Sequence, residues 1–432
     1  LRGWQLELAE DSARLDGGLR LGAAGELPSL AGHLVAHRLS LTRWLDFARD
    51  LPPGLQWALD NITRGEADFE LDGKGLRVPR VTARSSGSVF EGSGGVASWA
   101  EPVVALDLKA PSVNLGLALP EALGSAPEAP FYVHPPLTSA YDEPGAPSSS
   151  ISLGFDIRLG AKQLLYGPLR LEDASVRITP GPKKNGLEEG ALLAGKAALY
   201  GGRLSSETHI TGTGQENVYR IDGTVQGVKA SDIARDMASF PFASGRCDAR
   251  LSLESRGLGL DAFLRHLRGS LHADVTQGRF RSGMDSAIRD FARISLDVTP
   301  RGGRAIAEGG RGAARLEALW KAHLESPGLE ADVQLDGPLI FGGRSRLRTE
   351  AAALRGNLHM PPGAALPHGL TAGVAGQCAF NVGTLAFSLQ RAALSTLGVE
   401  GQGDLHLDGG GRAPSWRGRL HLQCRDLGAT LR

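Results

Sequence analysis

Apolar and polar residues alternate one by one along much of this chain. Within residues 219–226, the odd positions are Tyr, Ile, Gly and Val, and the even positions are Arg, Asp, Thr and Gln. The pattern recurs at 249–254, 271–275, 331–335 and 405–407. Successive side chains of a β-strand point to opposite faces, so each segment has one apolar and one polar face. Antiparallel sheets tolerate this arrangement, whereas parallel sheets usually bury both faces. The alternation therefore predicts a mainly antiparallel β-protein.

A glycine-rich hinge recurs between alternating segments. The sequence ALYGGRLSSETH at 198–209 has counterparts at 88–99 and 395–406, and a weaker one at 14–25. Glycine suits a hinge because a positive φ or a bulge brings no Cβ clash. One strand–hinge–strand unit cannot bury its apolar face alone, whereas stacked units can. The predicted fold is mainly β: an elongated, curved antiparallel sheet or groove of repeated strand–glycine-hinge–strand units, with a few short amphipathic helices.

Helical spacing of apolar residues is confined to short segments. It occurs at 233–240, 261–267, 284–291 and 316–324, and residues 300–312 form a glycine-rich segment that predicts a loop. Each helix is expected to lie on a sheet or to cap its open end.

Five segments are predicted from these changes of pattern. Residues 1–119 form an N-terminal β-repeat segment, 120–150 a proline-rich loop or linker, and 151–283 a β-groove core. Residues 284–325 form a helical insertion and 326–432 a C-terminal β-repeat segment.

Composition excludes several classes of protein. Hydrophobic residues make up 41% of the chain, enough for a core and too many for wholesale disorder. Basic and acidic residues number 47 each, so the chain has no electrostatic attraction to nucleic acid. No apolar run reaches the ~20 residues that span a bilayer. The chain starts at Leu1 and stops within the alternating pattern at Leu431, which predicts a segment of a longer protein.

Catalytic and metal-binding motifs are weak. His33 and His37 lie in a strand-like stretch, where their side chains start ~13 Å apart, too far to share one metal ion. The sequence GGRGAAR at 309–315 lacks the Lys-Ser/Thr of a P-loop and is expected to be a helix-initiating loop. Acidic residues are scattered over polar strand faces. The sequence predicts no enzyme, no metal and no cofactor.

The cysteines each continue an apolar row of their segment. They are Cys247, Cys378 and Cys424, and none has CxxC spacing. They are expected to be small buried hydrophobic residues.

Residues 195–281 resemble a known family. The stretches ALYGGRLSSETHITG, YRIDGTVQGVKASDIARDMASF and ASGRCDARLSLESRGLGLDAFLRHLRGSLHADVTQGRF are similar to the C-terminal region of AsmA-like proteins, which are distantly related to TamB. Elsewhere the similarity is carried by the hinge-and-strand repeats, and the sequence departs from the family pattern after Gly283. The resemblance implies a periplasmic protein of the Gram-negative envelope, anchored in the inner membrane by an N-terminal helix outside this segment. It also implies a β-groove that serves phospholipid transport and outer-membrane homeostasis.

The expected partners are phospholipid acyl chains, bacterial membranes through the anchor, and other envelope proteins, with no nucleic acid. The residues expected to line the lipid groove collectively are Tyr219, Ile221, Val225, Ala249, Leu251, Leu253, Leu271, Val275, Val333, Leu335, Leu405 and Leu407.

Two alternatives remain open from the residues alone. One is a non-enzymatic envelope scaffold, made of β-sandwiches that cover their own apolar faces and bind other proteins through sheet edges. The other is a glycan-active enzyme, which would need a cluster of carboxylates that the sequence does not display.

Overall fold

The part of the chain that the structure describes is almost entirely β-strand, which confirms the predicted fold class at this level. The computed structural model describes residues 12–20, 29–39, 62–85, 88–114, 154–166, 169–181, 183–184, 187–188, 190–212, 217–237, 242–257, 260–281, 288–308, 311–342, 347–362, 370–381, 386–396, 399–408 and 415–424.

The chain divides into two compact units. Unit 1 comprises Leu1–Leu165 and Asp173–Leu193, and unit 2 comprises Tyr166–Glu172 and Ala194–Arg432. The first strands in chain order are β1 (Ser12–Arg20), β2 (Ser29–Leu39), β3 (Ile62–Leu71), β4 (Leu76–Ser85), β5 (Ser88–Val96), β6 (Val103–Asn114), β7 (Gly154–Tyr166), β8 (Leu169–Pro180), β9 (Lys183–Lys184), β10 (Leu187–Glu188) and β11 (Ala191–Leu199).

In unit 1, β1 to β6 pair in chain order, each antiparallel to the next. β6 then pairs with β7 in parallel, from Val103 opposite Gly154 to Asn114 opposite Leu165. Parallel neighbours need a crossover connection of a dozen or more residues. The chain between these strands supplies that length, and the predicted proline-rich segment 120–150 belongs to it, outside the described residues.

Unit 2 contains the remaining strands and two short helices. In chain order they are β12 (Gly202–Gly212), β13 (Asn217–Lys229), α1 (Ala230–Met237), β14 (Phe242–Arg256), α2 (Leu260–His266), β15 (Arg268–Arg281), β16 (Ile288–Glu308), β17 (Arg311–Ser326), β18 (Leu329–Gly342), β19 (Leu347–Met360), β20 (Leu370–Asn381), β21 (Ala386–Thr396), β22 (Val399–Asp408) and β23 (Ser415–Cys424). Each strand from β12 to β23 pairs antiparallel with the next strand along the chain. The helices α1 and α2 confirm two of the predicted helical segments.

The predicted helical insertion at 284–325 is wrong. Its described residues form β16 and β17, and strand also replaces most of the predicted loop at 300–312 and of the helix start at 309–315. Leu316, Trp320 and Leu324 fit a helical period, but Ala318 and Ala322 complete a period of two on the same face. Because alanine is small and only weakly apolar, the alternation in this segment was hard to recognise in the sequence. Pairing with a strand on each side holds the segment in the extended conformation.

The glycine hinge is a true turn at 198–209. Tyr200 and Gly201 link β11 to β12 with φ values of 46° and 76°, as the two central residues of a type I′ hairpin turn require. The glycines of the copies at 14–25, 88–99 and 395–406 that the structure describes lie within β1, β5 and β22, so they form no turn. Gly22, Gly25 and Gly398 of these copies lie outside the described residues. A Cβ on Gly92 would stand 1.8 Å from the carbonyl oxygen of Asp107, so close approach of the neighbouring strand requires this glycine.

Candidate functional site

Strand register in unit 2 aligns apolar residues into continuous rows. Directly opposed residues of antiparallel strands share one face of the sheet. The first row runs from β12 to β23 and consists of Leu204, Val225, Ala249, Ala273, Leu296, Ala322, Val333, Gly356, Val374, Leu394, Gly401 and Leu422. The row has one member in each strand from β12 to β23, and every member is apolar.

Two further rows flank the first on the same face. One consists of Gly223, Leu251, Leu271, Val298, Trp320, Leu335, Leu354 and Gly376. The other consists of Val228, Cys247, Val275, Ile294, Leu324, Ala331, Leu358 and Ala372. We call these three rows the apolar strip.

Most of the residues predicted to line a groove lie in this strip. They are Val225, Ala249, Leu251, Leu271, Val275, Val333 and Leu335. Ile221 and Leu253 oppose each other beside it, and Tyr219 lies farther along β13.

The two predicted residues of β22 lie outside the strip. Leu405 pairs with Leu389 and Gly418, and its side chain is 37% exposed. Leu407 pairs with Phe387 and Trp416.

The predicted lining set misses part of the strip. Leu296, Val298, Trp320 and Leu324 belong to it but lie in the segment expected to be helical. Leu296 and Val298 continue the alternation of Ile294, and Ala318 and Ala322 complete that of Trp320 and Leu324. This period of two was the signal that could have identified them.

Several apolar side chains in the middle of β13 to β15 are only partly covered. Ile221, Leu251, Leu253 and Leu271 all keep intermediate exposure. The core of a closed sandwich buries such side chains between two sheets. This part of the strip therefore presents apolar surface beyond what its own neighbours cover.

A helix packs at each end of these strands. Ala230, the first residue of α1, is 1% exposed and packs with Val275 and Phe291. At the other end, the ring of Phe263 in α2 meets Tyr219 edge to face, with 5.3 Å between centroids and 76° between planes. Ser255 donates a hydrogen bond to the carbonyl oxygen of Phe263 and ties α2 to β14. The helices thus bound the strip along the strand direction at β13–β16.

Farther along the sheet, part of the apolar face is densely packed. Ala352, Leu354, Cys378, Leu389 and Ala392 form a buried cluster, against which Val333, Leu335, Val374 and Phe387 pack. Cys378 is 1% exposed, and burial raises the pKa of its thiol to about 11.

The cysteine prediction is therefore confirmed at Cys378. Cys247 is half-buried, and desolvation also raises its pKa. The side chain of Cys424 lies outside the described residues.

The opposite face of the sheet carries charged pairs. Both ring nitrogens of His272 face carboxylates, Nδ1 at 2.7 Å from Asp297 and Nε2 at 2.9 Å from Asp274. The hydrogen bond to Asp297, and next the one to Asp274, raises the pKa of His272. Arg293 donates two hydrogen bonds to Asp274, of 2.8 and 2.9 Å, and lowers the pKa of that carboxyl. Because two acceptors face the ring, the cluster favours the imidazolium form.

The histidine pair of β2 follows the strand prediction. His33 and His37 lie four positions apart in one strand, and His33 Nδ1 lies 2.7 Å from Asp68 of β3. Within the described ranges, no group of three or more His, Cys, Asp or Glu side chains is placed to hold a metal ion. No helix in the described part of the chain has the length and apolar character needed to cross a membrane.

Comparison with known proteins finds no matching family model, curated protein or solved structure. The similarity to AsmA-like proteins accordingly stays a prediction from the sequence.

Proposed function

We propose that this chain is the periplasmic part of an inner-membrane-anchored AsmA-like protein and shields phospholipid acyl chains on its apolar strip. The chain would thereby serve lipid transport between membranes and outer-membrane homeostasis. The observation that supports this best is the unbroken register of apolar residues from β12 to β23. Leu251 and Leu271 of the strip keep intermediate exposure, and contiguous apolar surface that is left partly uncovered marks interaction sites.

The dimensions of the strip suit several acyl chains. Neighbouring strands are about 4.8 Å apart, so the strip extends roughly 50 Å across the strands from β12 to β23. One acyl chain spans half of the hydrocarbon core of a bilayer, which is ~30 Å thick, so the strip is about three acyl chains long. Lipid would bind there by removal of apolar surface from water, at about 25 cal/mol per Å². Such binding is collective and needs no single indispensable side chain.

The dense cluster around Cys378 favours a second candidate function. Ala352, Cys378 and Ala392 are almost fully buried, as in a sheet that covers its own apolar face. A non-enzymatic scaffold that binds other envelope proteins would show such packing throughout and would carry no lipid.

The deciding experiment is native mass spectrometry with lipid extraction on the purified protein. Leu251→Glu with Leu271→Glu places two carboxylates opposite each other in the strip. The matched control is Arg203→Glu with Gln226→Glu, at directly opposed and exposed positions. Val275 is a poorer site because it is buried against α1.

We expect several phospholipids per chain in the wild-type protein and in the control, and loss of most of them in the Leu251/Leu271 variant. A wild-type chain that is stable, monomeric and free of lipid would overturn the proposal and favour the scaffold.

A further inference from the structure

A concavity of about 810 Å³ opens on the polar face of β16 to β22. The polar side chains that line it belong to the face opposite the apolar strip, and Ala322, Val333, Gly356, Val374 and Gly401 of the strip also border it. Lipid on the strip leaves those polar side chains unexplained. Small residues from β20 and β21 form its floor, namely Gly373, Ala375, Ala393 and Ser395. Longer polar side chains stand on both sides of that floor. Its volume lies within the range of about 300–1,000 Å³ that is typical of ligand pockets.

Strand register sets the order of groups across the concavity. Lys321 opposes Gln334, Gln334 opposes Arg355, and Arg355 opposes Ala375 of the floor. Lys321 and Arg355 are therefore separated by two strand spacings, about 10 Å at the backbone. Both side chains are long enough to converge above Gln334.

The carboxylates of two aspartates in the lining already have partners. Asp297 lies 2.7 Å from His272 Nδ1, and Asp332 lies 2.9 Å from His323 Nδ1. Lys321 and Arg355, by contrast, form no ion pair or hydrogen bond with another side chain among the described residues. Glu400, the third carboxylate of the lining, also has an interaction partner, so these two cations are available to a ligand.

We propose that this concavity binds a phosphorylated sugar, with the phosphate held between Lys321 and Arg355. The guanidinium of Arg355 offers a planar fork that matches phosphate oxygens, and Lys321 adds a second positive charge. Two cations within reach of one ligand suit a phosphate, which carries a charge of about −1.5 to −2, better than a singly charged carboxylate. The amides of Asn357 and Gln402, which also line the concavity, both donate and accept hydrogen bonds and suit sugar hydroxyls.

Calorimetric titration of the whole chain with glucose 6-phosphate, glucose and inorganic phosphate tests this site. We expect glucose 6-phosphate to bind more tightly than either of the other probes, and its affinity to fall with added salt. Lys321→Gln with Arg355→Gln should weaken it by about tenfold or more, because each change removes a charged hydrogen bond. The control is Lys196→Gln with Arg203→Gln, which makes the same change of charge at exposed positions outside the concavity.

Three results would overturn the inference. They are no binding of glucose 6-phosphate by the wild-type chain at millimolar concentration, equal binding of glucose, and equal weakening in the control variant. The lipid content of the Lys321/Arg355 variant should match that of the wild type, because these two side chains lie on the face opposite the apolar strip.

Discussion

The two glycines where the hairpin turn meets β12, Gly201 and Gly202, are required for different physical reasons. Gly201 has a φ of 76°, and a Cβ there would meet only the flexible end of Lys229, at 3.6 Å. Gly202 has no such φ, but its Cβ would stand 2.4 Å from the carbonyl oxygen of Gln226 and 2.6 Å from the backbone nitrogen of Val228. Backbone atoms of a paired strand cannot move aside without disrupting the ladder.

Alanine substitutions at these neighbours should therefore differ in cost. Gly201→Ala imposes a left-handed conformation on a residue with a Cβ, which costs about 1 kcal/mol. Gly202→Ala forces two strands apart, and overpacking of this kind costs about 3 kcal/mol. The difference of about 2 kcal/mol corresponds to roughly a 30-fold change in the local opening equilibrium.

Hydrogen exchange of the β12 and β13 amides is the suitable assay, because a long sheet of neighbour contacts opens locally. The amides near the Ser205–Thr224 pair should exchange faster in Gly202→Ala than in Gly201→Ala, while those of β22 stay unchanged. Equal exchange in the two variants, or faster exchange in Gly201→Ala, would refute the reasoning from close approach.

Two further predictions concern titratable groups. The pKa of His272 is raised in the folded protein by its hydrogen bonds to Asp297 and Asp274. These pairs contribute their full stability at pH values below the pKa of the unfolded chain, ~6.5. That stability is lost as the pH rises through the higher pKa of the folded protein. Urea midpoints between pH 5 and 9 should show this loss, and a His272→Gln variant with the same pH profile would contradict it. The thiol of Cys378, with a pKa of about 11, should resist iodoacetamide at pH 8 until urea unfolds β20. Rapid labelling of Cys378 itself in the native protein, located by peptide mass mapping, would show that its burial is incomplete.

The assignment of residues to faces could be read from the sequence. Leu251 and Leu271 were expected on an apolar face from alternation alone, and the structure places them directly opposite each other. Alternation is a local property of each strand, so it can be recognised in the sequence without knowing which strands lie beside it. The helices after β13 and β14 were likewise predictable, because their apolar spacing has no competing period of two.

Trp320 shows where local pattern was insufficient. Its segment fits a helix or a strand, and the choice was decided by pairing, with Val298 on one side and Leu335 on the other. Both neighbours are distant in sequence, so the burial that they provide for Trp320 cannot be inferred from the spacing of apolar residues within its own segment.

The sequence by itself determined that this chain is mainly β and which residues of most strands share a face. Only the tertiary structure decided the register that turns separate apolar positions into one strip, the parallel pairing of β6 with β7, and the arrangement of Lys321, Gln334 and Arg355. The physical reason is that a strand's periodicity is set by its own backbone. Register, by contrast, depends on which partner strand buries its apolar face.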